Sequence, residues 1–195
     1  MSLTSPMGDQ PISDPQAMRA LAHPVRLAVL SYLQRTGPAT ATQLSPHVGA
    51  TPSVVSWHLR HLASFGLVAD ADPDEVPGDR RQRWWKAAAR GFRIELGEGP
   101  EAEAAVRVLG RQLFDTARQQ TDEWLAGPAQ RLDLTWLRAA GISNTQVRLT
   151  TAEVSELNAK IEELLGAYVL RPEQDVPEGA RDIRILRYVL PSESE

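Results

Sequence analysis

The sequence predicts a mixed α+β chain, mostly α. A compact N-terminal group of helices is closed by a hairpin, then followed by a long helix and a small C-terminal α+β region. Three observations predict this. Proline directly follows a capping position at Asp14-Pro15, His23-Pro24 and Thr51-Pro52, which is how helices commonly start. Apolar residues then recur at helical spacing, as at Val55, Leu59 and Leu62. After Gly66 the pattern shortens to runs of strand length, "LVADA" and "RQRWWKAA", joined by the turn-rich "DPDEVPGD".

In order along the chain, residues 1–14 are polar and read as a disordered arm. The next unit spans 15–95. Asp14 caps a short helix to about Ala22, and His23 caps a second that ends at Gly37. Thr40-x-x-Gln43 is a capping box opening a third helix, which Pro46 keeps short or distorted and Gly49 ends. Thr51 opens a fourth, from Pro52 to about Phe65. The third and fourth helices with the glycine turn between them form a helix-turn-helix, and the two strands after them form a wing. In that arrangement the second helix of the pair lies in the DNA major groove.

Composition narrows the function. The 195 residues are 42% hydrophobic and 24% charged, which is ordinary for a soluble chain. No apolar run approaches the ~18 residues of a membrane span, and the N-terminus is no signal peptide, so a cytoplasmic protein without membrane contact is expected. The absence of cysteine removes disulfides, thiol nucleophiles and every cysteine-containing zinc site. The net charge of -4 is uneven: residues 1–95 carry 10 basic and 8 acidic side chains, +2, and the remainder 11 and 17, -6. Within 80–93, "RRQRWWKAAARGFR" holds six basic residues and no acid, a compact footprint for an anion such as DNA.

On the fourth helix Val55, Leu59 and Leu62 must face inward. Thr51, Ser53, Ser56, Trp57 and Arg60 are rotated outward, where hydroxyls suit phosphates and base edges and arginine suits guanine or phosphate. Trp57 would pack on sugar or thymine methyl groups, or else cover a core edge or a partner chain. His61 is the more exposed histidine and can meet a phosphate, whereas His58 borders the buried stripe as a satisfied histidine at the core edge. The two lie three apart but lack a third ligand, so no metal site is expected. In the wing, Arg80, Arg81 and Arg83 flank the turn, where a tip reaches the backbone or the minor groove. Trp84 and Trp85 point to opposite faces of their strand, one of them into the core.

The run "ALAHPVRLAVLSYL", then "TATQLSPHVGATPSVVSWHLRHLASFGLV", then an arginine-bearing wing, resembles the ArsR-type winged helix-turn-helix regulators over residues 15–90. The resemblance implies a dimeric repressor that occupies a promoter. The chain departs from the pattern at Trp57, where arginine is frequent, and at Pro52, where glutamine is common. It also lacks the cysteines and the Asp/His sets of the metal-sensing members.

Residues 96–127 read as a dimerisation helix, with Val106, Leu109, Leu113, Ala117 and Trp124 near heptad spacing; packing on its own C-terminal domain is the alternative. Residues 128–195 read as a small α+β domain: a strand in "TQVRLT", a helix opened by the Thr150-x-x-Glu153 capping box, and a strand in "RDIRILRYVLP". This part is similar to C-terminal extensions of actinobacterial ArsR-type regulators, with no ligand implied. Three roles stay open for it: binding a small-molecule or protein effector, enlarging the dimer, or contacting a partner protein. No phosphate loop, nucleophile elbow or paired catalytic acids occur, so neither an enzyme nor a cofactor is expected. The rival expectation is a winged-helix module for protein contact, with Trp57 and Trp84 as its anchors.

Overall fold

In the computed structural model, which describes residues 7–76 and 82–192, the chain is mixed α+β and mostly α. The N-terminal elements run β1 (Asp9–Ile12), α1 (Pro15–Leu21), α2 (Pro24–Thr36), β2 (Ala39–Thr40), α3 (Ala41–Val48), α4 (Pro52–Ala63), β3 (Val68–Asp70), β4 (Trp84–Ala87) and β5 (Gly91–Ile94). Then follow α5 (Pro100–Ala126), α6 (Leu134–Ala139) and α7 (Thr151–Val169), with short 3₁₀ turns at Pro128–Arg131 and Glu173–Asp175.

Local chemistry sets the helix starts. Asp14 Oδ1 accepts from Gln16 N at 2.9 Å, and His23 Nδ1 accepts from Val25 N at 3.2 Å. Thr40 and Gln43 complete their capping box, as do Thr150 and Glu153. Gly49 ends α3 at φ 62°, a left-handed conformation that glycine adopts without steric cost. Ala50 and Thr51 then lead into α4.

One core joins these elements. Leu27, Val29, Leu30 and Leu33 of α2 meet Leu44 of α3 and Val55, Leu59 and Leu62 of α4. Trp85 closes the bottom at 2% exposure, while Trp84 on the other face of β4 is half-buried. β4 is the centre of an antiparallel sheet ordered β2-β4-β3, with Ala39 opposite Trp85 and Val68 opposite Ala87.

Three expectations are corrected. Residues 9–12 are not a disordered arm: β1 pairs in parallel with β5, Asp9 opposite Gly91 and Ile12 opposite Ile94, and Ile12 is buried. Leu109 is fully buried in the chain's own core together with Ala102 and Ala105, because the first half of α5 lies against α1 and an Arg19–Glu101 ion pair of 2.6 Å ties the two together. Val106 and Leu113 pack half-buried against the same core. Leu109 therefore has no surface left for a second chain. The segments 145–150 and 181–191 carry alternating apolar residues but form no strand, since neither finds a hydrogen-bonding partner strand.

Candidate nucleic-acid interface

The helix α4 is held from beneath and open above. Thr51 Oγ1 accepts from Val54 N at 3.5 Å, Pro52 occupies the first turn, and Val55, His58, Leu59 and Leu62 are buried. At 100° per residue the opposite face carries Ser53, Trp57 and Arg60, flanked by Val54, Ser56 and His61. Trp57 is 54% exposed and Val54 45%. No acid lies anywhere on the helix. Val54 escaped the sequence reading because it adjoins Val55 in a buried-looking pair, and only the rotation of the helix separates them.

The exposed face splits lengthwise. Ser53, Ser56 and Arg60 form a polar stripe, in which Arg60 Nη1 donates to Ser56 Oγ at 2.9 Å. Val54, Trp57 and His61 form an apolar and aromatic stripe beside it. The Trp57 and His61 rings stack 2° from parallel with centroids 5.6 Å apart.

His58 joins this surface to the core. Its ring lies 4.9 Å from Trp57 edge-on and 4.8 Å from His23, and it is 4% exposed. Its Nδ1 is buried without a hydrogen-bond partner. It is thus a core histidine, but not a fully satisfied one. Burial first, then the neighbouring His23, Arg26 and His61, holds its pKa below the usual imidazole value. Burial and Arg26 do the same to His23.

The wing is more nearly neutral than its arginines imply. Arg83 donates through Nε and Nη2 to both carboxylate oxygens of Asp70, at 2.6 and 3.0 Å, and its guanidinium lies 4.0 Å over the Trp85 ring. Lys86 Nζ bridges Asp72 and Glu75 at 2.6 and 2.8 Å. These hydrogen bonds hold Asp70 and Asp72 below the ordinary carboxylate pKa and Arg83 and Lys86 above theirs. Arg80 and Arg81 lie outside the described residues. Among the described residues no three His, Asp or Glu side chains gather where a metal ion could sit, and no helix is long and apolar enough to cross a membrane.

A family model for a helix-turn-helix domain matches residues 21–70, from the end of α1 to the end of β3. The N-terminal half carries a helix-turn-helix DNA-binding domain. Within this helix-turn-helix, α3 and α4 are the paired helices, and α4, the second of them, exposes Ser53, Val54, Trp57 and Arg60. No curated protein matches the chain.

Proposed function

We propose that this chain is a cytoplasmic, sequence-specific transcriptional regulator of ArsR type that acts as a homodimeric repressor. The carrying observation is the acid-free outward face of α4 within a helix-turn-helix, with Thr51, Ser53, Trp57 and Arg60 exposed and Ser56 and His61 half-buried beside them; this is the face that would enter a major groove. Arg80 and Arg81 add phosphate affinity.

Two features support a second copy. The accessible surface is 14184 Å², against roughly 9,000 Å² for a compact monomer of this mass. Of the 24 large apolar residues exposed among the described residues, 17 lie between Leu134 and Leu190, so the excess is concentrated in the C-terminal half. A dimer brings two recognition helices to successive half-sites, about 34 Å apart. The C-terminal half is also where an effector would act. Neither catalysis nor a bound cofactor belongs to this proposal.

Competition gel shifts with the region upstream of the gene test it. Retarded complexes that survive excess random DNA are expected, and their absence would sink the proposal. The exposure of Trp57 beside Val54 favours one rival, a protein-contact module, and the same experiment separates the two.

A further inference from the structure

We propose that Val54 and Trp57 read thymine methyl groups, so that the half-site is specified in part by an apolar contact. The inference rests on the assignment of α4 as the helix in the major groove. Base edges in that groove are polar donors and acceptors, with one exception, the C5-methyl of thymine. Neither valine nor an indole face can satisfy a polar edge. Laid on guanine, cytosine or adenine, they would strip water from donors and acceptors and return no hydrogen bond. Over thymine the same surfaces meet a methyl and exclude water from both sides of the contact.

Position supports the assignment. Val54 and Trp57 are three residues apart on one side of α4, hence about 4.5 Å along its axis. That separation suits methyls on neighbouring base pairs, which are stacked about 3.4 Å apart. The indole is also held in place rather than loose. His61 stacks on it at 5.6 Å, His58 meets it edge-on at 4.9 Å, and His58 is itself backed by His23 at 4.8 Å. Arg60 is drawn to the other stripe by Ser56, at 2.9 Å, which leaves the apolar stripe clear of the cation and places polar readout alongside it.

The experiment uses the full chain. Duplexes are selected from a random-sequence library, and the preferred one is resynthesised with deoxyuridine in place of each half-site thymidine, which removes only the methyl. Affinities for both duplexes are measured at one salt concentration with the wild type, Trp57→Ala and Val54→Ala. The wild type should lose about fourfold per contacted methyl, the partition of one such group from water. Trp57→Ala should bind the thymine duplex more weakly and show a smaller thymine-to-uracil ratio. Because Trp57 is about half exposed, its removal should lower the melting temperature only slightly and leave the fold intact. Equal affinity of the wild type for the two duplexes overturns the proposal without reference to any variant. An undiminished ratio in both folded variants overturns the assignment to these two residues. If selection enriches no sequence, the DNA-reading function itself fails, and this inference with it.

Discussion

Single side chains behave here according to what lies within a few ångströms of them. The pKa of His58 lies below the usual imidazole value because burial opposes its charge and because His23 and Arg26 oppose it further. Unfolding returns it to a value near 6.5, so below that pH the unfolded chain takes up a proton that the native chain refuses. The stabilisation from His58 is thus complete above about pH 6.5 and is lost as pH falls through that value toward the lower native pKa. Melting temperatures should drop between pH 7 and 5, and His58→Leu should flatten the drop, since Nδ1 has no partner to lose. Identical slopes for the two proteins would contradict this account. Arg83 gives a second residue-scale prediction. Its charge is matched by Asp70, so Arg83→Ala should scarcely alter the salt dependence of DNA binding. Asp70→Asn should free the guanidinium and steepen the slope of log affinity against log salt by up to about one unit. Arg80→Ala with Arg81→Ala should instead flatten it by as much as about two units, on specific and random DNA alike. The pairing of Arg83 with Asp70 could not be read from the sequence, because thirteen residues and an uncertain strand register separate them.

At the scale of the element, α5 has two different halves. Its N-terminal half is part of the core through Ala102, Ala105 and Leu109; its C-terminal half exposes Phe114, Trp124 and Leu125. A stripe of heptad spacing cannot distinguish burial against one's own chain from burial against another, since both demand apolar residues every three or four positions. Leu109→Ala should therefore cost about 2–5 kcal/mol of the chain's own stability, the range for a buried leucine cavity. Phe114→Glu and Leu125→Glu should leave the melting temperature almost unchanged and weaken self-association, as followed by light scattering. A Leu109→Ala variant with wild-type stability would show that the inward face of α5 is placed wrongly. Helix α4 was more legible, because Thr51-Pro52 marks its start and Val55, Leu59 and Leu62 mark its inner face.

For the whole molecule, the decisive property is the uneven distribution of burial. The N-terminal half encloses a core, while from Leu134 onward Gly166 is the only buried residue among those described. A chain in that condition gains by covering its C-terminal half, and a second copy is the proposed cover. Light scattering should give twice the chain mass at micromolar concentration, and Leu164→Glu with Tyr168→Glu should shift it toward the monomer while operator affinity falls. A monodisperse monomer would refute the dimer. Chelating agents should leave DNA binding unchanged, because the chain has no cysteine and its described residues gather no set of three metal donors.

By itself the sequence determined what neighbouring residues can settle. The caps at Asp14, His23, Thr40, Thr51 and Thr150, the glycine end of α3, and the order of helices around the turn all depend on contacts within about four residues. Tertiary structure decided whatever needs a distant partner. Residues 9–12 become a strand only because Gly91–Ile94 lies beside them, some eighty positions away. Residues 181–191 alternate as a strand would, yet remain unpaired, since a ladder requires a second edge and none is presented to them. Leu109 turns inward because α1 covers it, and Arg83 is neutralised because β3 and β4 register Asp70 opposite Trp85. Local hydrogen bonds are specified by the chain's own succession of residues; pairing across the fold also depends on which surfaces the finished packing brings together.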